Sequence, residues 1–262
     1  MKKSSDMSKW IKRVKSGVVL PILSALFAQS SFANDVISYQ RIQLAQGIDA
    51  DVIHIKKLSD LQLFLNDPSQ QPLLKFENIK KQLHSCQRLE LAMNAGMYHP
   101  DYAPVGLYIE NGKQLTALNE QQGFGNFFMQ PNGVVAWNDQ QVVIETTQDF
   151  KTSRFKANYA TQSGPMLIID GKINPKFLAD SDSLKIRNGV GIKDNTLYFV
   201  ITRNRVNFYQ FAQLFKDELN IDNALYLDGS ISSLYLPKIY REDRRYSLGP
   251  MIGLLNSKVC RS

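Results

Sequence analysis

Histidine and cysteine, which often form metal and nucleophilic sites, are scarce in this sequence. Its 262 residues include three histidines and two cysteines. The zinc-binding spacing His-Glu-x-x-His, a Walker-type phosphate loop and the Gly-x-Ser-x-Gly motif of serine hydrolases are all missing. These absences argue against a zinc peptidase, a P-loop nucleotide hydrolase and a serine esterase.

A strong charge imbalance is also missing outside the N-terminus. The formal net charge is +7, but residues 1–33 contain six of the 31 basic residues and only one of the 24 acidic residues. The rest of the chain carries 25 basic and 23 acidic residues, with no clustered basic stripe. This balance argues against a nucleic-acid partner.

The N-terminal segment has the composition of an export leader. A basic region ends at Lys15, and an apolar run follows over residues 17–28. The run is shorter than the roughly 20 residues that span a membrane, and Pro21 interrupts it. We expect a signal peptide at residues 1–33, export to a bacterial periplasm, and a mature domain over residues 34–262. The alternative is an uncleaved leader, which would be the chain's contact with a membrane.

The two cysteines, Cys86 and Cys260, both lie in the predicted mature chain. In an exported protein an even number of cysteines favours a disulfide, which would join the C-terminal tail to the first third of the domain. Two separate buried thiols are the alternative. Two cysteines so far apart do not form a zinc site by themselves.

Alternating apolar and polar residues predict a domain rich in strands. Residues 36–44 and 51–58 alternate in this way, and residues 72–86 and 207–219 have helical spacing. Four further apolar segments contain hairpin turn signals, at Asn111-Gly112, Asn138-Asp139, Asp170-Gly171 and Asp194-Asn195. The last helix lies between two strands, as in a crossover onto a sheet. We expect a single α/β domain with mixed β-sheets and flanking helices.

The stretch LYLDGSISSLYLP, residues 225–237, interrupts an apolar run with one carboxylate and three serines. A strand that follows a helix would deliver Asp228 to the end of the sheet, where ligands bind in open α/β sheets. The N–H groups of residues 229–233 could then form an anion-binding concavity. The alternative is a simple turn, because Asp, Gly and Ser are common in turns.

Three other blocks place small polar residues beside a predicted strand. They are NAGMY from Asn94, SGP from Ser163 and RNGVG from Arg187. Together with LDGSISS from Leu227, these blocks resemble the phosphodiester glycosidase family, and the resemblance covers residues 88–255.

The sequence departs from the family pattern at three positions that are glycines in the family. Ala95 occupies one in the first block, and Ser230 and Ile231 occupy two in the last. Because glycine alone adopts positive φ cheaply, we expect a loop geometry that differs from that of the family.

The resemblance implies a hydrolase that cleaves a sugar-1-phosphodiester, or a related glycosidic bond in an envelope glycan. Asp228 would serve as acid, base or nucleophile, and Arg187 would hold the phosphate. The residues expected to contact substrate are Asn94, Gly96, Ser163, Gly164, Gly229, Ser232 and Ser233. The alternative is an envelope protein that binds glycan through a degenerate site without catalysis.

Several features of the expected site stay open. A second carboxylate is not identified by the sequence, and the candidates are Asp101, Asp180, Asp182 and Glu242. His99 could carry a proton, although an isolated loop histidine is commonly just solvated. No metal ligands are identified, a divalent cation at Asp228 stays open, and so does the oligomeric state.

We predict cleavage of the leader directly after Ala33, because small residues follow the apolar run there. Mass spectrometry of protein expressed from the full-length gene should give a mature N-terminus at Asn34. An intact N-terminus in the membrane fraction would establish the anchor instead.

Overall fold

The computed structural model describes residues 36–256. The predicted leader lies outside this range, and so does Cys260, so the pairing of Cys86 with Cys260 stays a prediction. No helix within residues 36–256 has the length and apolar character needed to cross a membrane.

Seventeen strands and three short α-helices make up this part of the chain. The strands are β1 (Ile37–Gln43), β2 (Asp49–Ile55), β3 (Leu61–Phe64), β4 (Arg88–Asn94), β5 (Tyr108–Glu110), β6 (Lys113–Thr116), β7 (Gly133–Trp137), β8 (Val142–Thr146), β9 (Tyr159–Ser163), β10 (Met166–Ile169), β11 (Lys172–Ile173), β12 (Asn188–Lys193), β13 (Thr196–Thr202), β14 (Asn223–Tyr226), β15 (Leu234–Leu236), β16 (Arg241–Glu242) and β17 (Met251–Asn256). The helices are α1 (Phe76–Gln82), α2 (Thr147–Thr152) and α3 (Phe208–Gln213), and α3 continues as a π-helical segment over Leu214–Glu218.

The strands form three sheets. The first has seven strands in the order β1-β2-β13-β12-β14-β10-β11, the second has the order β16-β15-β4-β17-β3, and the third has the order β6-β5-β9-β7-β8. Every strand pair described in these sheets is antiparallel. The domain is therefore mostly β, and the expectation of mixed sheets is wrong.

The predicted crossover nevertheless exists in a different form. β13 and β14 are both antiparallel to β12, so they run in the same direction with β12 between them. The α3 segment makes this connection. No parallel pair forms because β12 and β13 already pair as a hairpin around Asp194 and Asn195, whose φ values are 50° and 55°.

Turn chemistry at two other predicted hairpins agrees with the structure, while the hairpin at Asn138-Asp139 joins β7 and β8 without positive φ. Asn111 and Gly112 both have positive φ between β5 and β6, and Asp170 and Gly171 do the same between β10 and β11. Both pairs adopt the left-handed geometry that two-residue hairpins require, which Asn, Asp and Gly tolerate best.

The helix predictions differ in accuracy. Asn207 caps α3 and forms the predicted capping box with Gln210. By contrast α1 is shorter than the predicted 72–86, because Pro72 and Leu74 form bridges with Asn66 and Leu248 instead. Tertiary pairing thus overrides local helical periodicity at the start of this segment.

The central strands of the first sheet are buried on both faces, as β14 shows. Ala224 and Tyr226 point into a cluster with Phe211 of α3. Leu225 and the following Leu227 point into the other cluster, which residues of all three sheets share. Because side chains alternate across a strand, both faces of β14 must be apolar, and the strand reads as a continuous apolar run.

A buried carboxylate on β2 links the first sheet to the second. Asp51 is fully buried and accepts hydrogen bonds from Arg203 at 2.9 Å and from Arg241 of β16 at 2.6 Å. Tyr39 donates a third, at 2.8 Å. A buried carboxylate is tolerated only when its oxygens are satisfied in this way.

Replacing Asp51 should therefore destabilise the fold more than replacing its neighbour Asp49. Asp49 pairs with Arg41 at the surface, where an ion pair contributes about 0–1 kcal/mol. Asp51→Asn should lower the free energy of unfolding by on the order of 3 kcal/mol, since it leaves two arginines without their buried partner. Urea denaturation of Asp51→Asn and Asp49→Asn beside wild type measures this difference in the free energy of unfolding. Equal losses in the two variants would contradict the assigned role of Asp51.

Candidate active site

A buried asparagine at the end of β4 holds the predicted blocks together. Asn94 donates from Nδ2 to the Asp228 carbonyl oxygen at 2.7 Å. Its Oδ1 accepts from Nδ2 of Asn188 at 3.0 Å and from the backbone N–H of Ser233 at 2.9 Å. Asn94 is 1% exposed, and these bonds use its amide fully. Its position makes it a scaffold for the loop, and the sugar contact expected from the sequence is not accessible in this conformation.

Asp228 follows β14 and presents a carboxylate that is partly removed from water. Oδ1 accepts from the hydroxyl of Ser230 at 2.7 Å and from its backbone N–H at 3.2 Å. Burial raises the pKa of Asp228, and the two hydrogen bonds from Ser230 act in the opposite direction. A carboxylate with a raised pKa is a stronger base than an exposed one.

The serines next to Asp228 divide their roles differently from the expectation. Ser230 was not among the residues expected to contact substrate, but its hydroxyl orients the Asp228 carboxylate. The Ser232 hydroxyl lies within hydrogen-bond distance of two acceptors, Asn188 Oδ1 at 3.1 Å and the Gly229 carbonyl at 3.0 Å, and its single hydrogen can serve either. The Ser233 hydroxyl donates to the Ile231 carbonyl at 2.7 Å, and Ser233 is buried.

Three of the five N–H groups in the predicted anion-binding concavity are already bonded within the protein. The N–H groups of Ser230, Ser232 and Ser233 donate to protein oxygens, in a short 3-10 turn that spans Gly229–Ile231. Ala95, Ser230 and Ile231 have no positive φ, so the missing glycines cause no strain here.

Gly229 is required by close packing rather than by its φ. A Cβ atom at this position would lie 1.9 Å from the Tyr226 hydroxyl oxygen. Burial raises the pKa of Tyr226 to about 12, although the nearby Arg187 acts in the opposite direction. Tyr226 therefore forms a neutral, polar floor beneath the Asp228 loop.

Arg187 lies below this floor instead of in the open cleft. Its guanidinium is 1% exposed, 3.7 Å from the ring centroid of Phe208, and donates to the carbonyls of Val206 and Ser183. Nη1 also lies 3.4 Å from the Tyr226 hydroxyl. Burial lowers the pKa of Arg187. Direct contact with a phosphate, as expected from the sequence, is thus not available in this conformation, and its role in holding the anion stays a prediction.

The SGP block lies beside the site and is buried. Ser163 ends β9, is fully buried, and its hydroxyl has no hydrogen-bond partner among residues 36–256. Two residues later the Pro165 carbonyl accepts from the Tyr226 N–H at 3.0 Å. Gly96 and Gly164 permit close backbone packing, since Cβ atoms there would lie 2.4 Å from Thr161 and 2.7 Å from Asn132. The structure thus brings Asn94, Arg187 and Asp228 together. Ser163 is connected to them by the nearby Pro165, which bonds to Tyr226.

Most candidates for proton transfer and for a second carboxylate do not line the cleft that opens beside the Asp228 loop. His99, Asp101, Asp180 and Asp182 are all exposed in loops and do not line it. Glu242 does, but it pairs with Lys80 and Arg244, which hold its pKa below the ordinary value despite some burial. Within the described part of the chain, no group of three or more His, Cys, Asp or Glu side chains could hold a metal ion.

A cleft of about 770 Å³ opens beside the Asp228 loop. Gly229, Ser230, Ser232 and Ser233 form one wall of it. Among the described residues, two acidic side chains and six basic ones line the rest, the basic ones being Lys185, Arg203, Arg205, Arg241, Arg244 and Arg245. The expectation that basic residues are unclustered is wrong in three dimensions. Two arginine-rich segments, RNR at residues 203–205 and REDRR at residues 241–245, are the part of this cleft that is visible in the sequence. Nothing in the sequence shows that these two segments lie together.

Comparisons with known proteins identify the family and relate the fold to a solved structure. Residues 87–247 match the family described as phosphodiester glycosidase. The uncharacterised protein YigE of Escherichia coli strain K12 is 44% identical over 173 residues, which are 66% of this chain and 68% of YigE. The fold is similar to that of the zebrafish N-acetylglucosamine-1-phosphodiester alpha-N-acetylglucosaminidase catalytic domain, auto-inhibited by its pro-peptide. The TM-score is 0.56 over 83% of this chain and 81% of that chain, at 16% identity.

The raised pKa of Asp228 predicts a pH-dependent stability difference. A carboxyl group whose pKa is raised by folding stabilises the protein most when it is protonated, and this stability is lost as pH rises through the folded-state pKa. Asp228→Asn should therefore have a higher Tm than wild type at pH 7. The gain should disappear below about pH 4, near the ordinary pKa of aspartate.

Thermal unfolding from pH 3 to 8 measures this effect, and Ser230→Ala gives an independent check. Removing the Ser230 hydroxyl should raise the pKa of Asp228 further. The loss of stability with rising pH should then occur at a higher pH in Ser230→Ala than in wild type. If the Tm of Asp228→Asn lies below that of wild type by the same amount at every pH, burial does not penalise the charged carboxylate.

Proposed function

Because this chain belongs to the phosphodiester glycosidase family, we propose that it hydrolyses the glycosidic bond of a sugar-1-phosphodiester. The observation that carries the proposal is the position of Asp228. Its carboxylate has a raised pKa, is oriented by Ser230, and lies in a loop that forms one wall of a strongly basic cleft. A base whose loop borders a cationic cleft suits the attack of water on a substrate with an anionic leaving group.

Asp228 would act as the general base toward water at the anomeric carbon. Its Oδ1 is held by Ser230, and no bond to a described residue occupies Oδ2, which is thus available to the reacting water. The bond from the anomeric carbon to the phosphate oxygen would break, and water would supply the new hydroxyl group. The proton released by the attacking water would pass to Asp228.

This leaving group also explains how one carboxylate could suffice. A phosphate monoester has a second pKa of about 6, so it departs near neutral pH as an anion without needing a proton. Plain glycosides leave as alkoxides, and their enzymes need a second carboxyl group as acid. The cations of the cleft would instead stabilise the negative charge that develops on the phosphate.

Arg187 would contribute to the same field from below. It is a buried cation that has no ion pair with a carboxylate among residues 36–256, and it lies beneath Tyr226 and Gly229. Charges in a protein interior are screened weakly, so a positive charge here favours an anion above the loop. With the leader proposed for residues 1–33, the substrate would be a glycan of the bacterial envelope.

A substrate screen tests the proposal. Purified protein is offered sugar-1-phosphodiesters and matching alkyl glycosides, with and without divalent cations and with EDTA. We expect cleavage of phosphodiesters in preference to alkyl glycosides. Asp228→Asn should lose 10²- to 10⁴-fold in rate, as is typical when a proton-transfer group is removed. Asp222→Asn, an exposed aspartate elsewhere, serves as the matched control and should retain the wild-type rate.

The product distinguishes the role of Asp228. NMR of the released sugar should show inversion at the anomeric carbon if Asp228 is a base, and retention if it is a nucleophile. If wild type cleaves no compound but binds a glycan, and Asp228→Asn binds it equally well, the protein is a non-catalytic glycan-binding protein.

A further inference from the structure

The basic cleft holds more positive charge than its own carboxylates neutralise. Arg203 and Arg241 share the buried Asp51, and Arg244 pairs with Glu242. The other three basic residues of the cleft, Lys185, Arg205 and Arg245, form no ion pair with any carboxylate of the described chain. All three are exposed, so their charges face the solvent of the cleft.

The backbone segments that carry these cations are held in place by the fold. The backbone N–H and carbonyl of Lys185 pair with Val206, directly after Arg205. Arg241 bridges Asp51 and Asp243, and so anchors the segment that leads to Arg245. Like charges that are confined in one cleft repel each other, and an anionic ligand relieves that repulsion.

The cleft is continuous with the loop that carries the reactive carboxylate. Gly229 and Ser230 line it, and the Ser230 hydroxyl contacts Asp228 directly. A ligand chain that starts at Asp228 would therefore extend past the three unpaired cations. One phosphate at the scissile bond does not account for cations distributed along this whole surface.

We propose that this cleft is a subsite for a second anionic group, so that the substrate is an acidic glycan bearing phosphate or carboxylate groups beyond the scissile bond. The inference rests on the proposed hydrolase function. A glycan fits better than a nucleic acid, because Tyr246 is the one aromatic side chain among residues 36–256 that lines the cleft. Single-stranded nucleic acids are held by successive aromatic stacking platforms as well as by positive charge.

Binding of defined oligosaccharides tests the subsite without requiring turnover. The probes are tetragalacturonate, a phosphorylated maltotetraose and neutral maltotetraose, and calorimetry gives the affinities. At least one acidic probe should bind more tightly than the neutral one, with an affinity that falls as salt is added. The double variant Arg205→Gln/Arg245→Gln should weaken binding of that acidic probe by about 10- to 100-fold.

The matched control removes two exposed cations outside the cleft. Arg154→Gln/Lys156→Gln changes the net charge equally, since both residues are exposed and do not line the cleft. This control should bind the acidic probes like wild type. The ratio of the affinities for tetragalacturonate and phosphorylated maltotetraose identifies carboxylate or phosphate as the preferred group.

Four results would overturn the subsite. The first two are equal affinity for neutral and acidic probes, and no binding of either acidic probe. The third is equal weakening in both double variants. The fourth is that an oligothymidylate, added as a further probe, binds more tightly than the acidic oligosaccharides and loses this binding in Arg205→Gln/Arg245→Gln. Loss of acidic-probe binding in that variant, together with no hydrolysis in the substrate screen, would refute the hydrolase and leave the subsite standing.

Discussion

The hydrogen bonds of one buried amide determine where the site can form. Asn94 ends β4 of the second sheet, and Asn188 begins β12 of the first. Their side chains bond to each other, and Asn94 also holds both ends of the Asp228 loop, at the Asp228 carbonyl and the Ser233 N–H. Each such buried bond contributes about 1 kcal/mol, but leaving one partner unsatisfied costs more. The loop conformation, and so the position of the carboxylate, depends on this pair.

A second buried side chain determines where the charged residues of the cleft lie. Asp51 is buried between the first and second sheets and aligns Arg203 and Arg241 along the cleft wall. A single internal carboxylate thus positions cations that the sequence separates by dozens of residues. The remaining cations need no internal partner if the substrate supplies the negative charge. Stability of the fold and the basic character of the cleft are linked through this arrangement.

Local sequence information predicted much of the fold. Hairpin turns at Asn111-Gly112 and Asp170-Gly171 follow from residues that tolerate positive φ, and the capping box at Asn207 follows from side-chain hydrogen bonding. The sheet type was not predictable in the same way. Strand direction depends on which strand lies between β13 and β14, and that is a property of the sheet rather than of either segment.

The sequence by itself determined the strand-rich domain, the family and Asp228 at the end of a buried strand. Tertiary structure decided which of the selected side chains remain accessible. It buries Arg187 and Ser163, gives the orienting role to Ser230, and gathers a basic cleft from segments that are far apart in the chain. The physical reason is range. Turn and strand preferences act over a few residues, whereas burial and charge clustering arise only when distant strands pack.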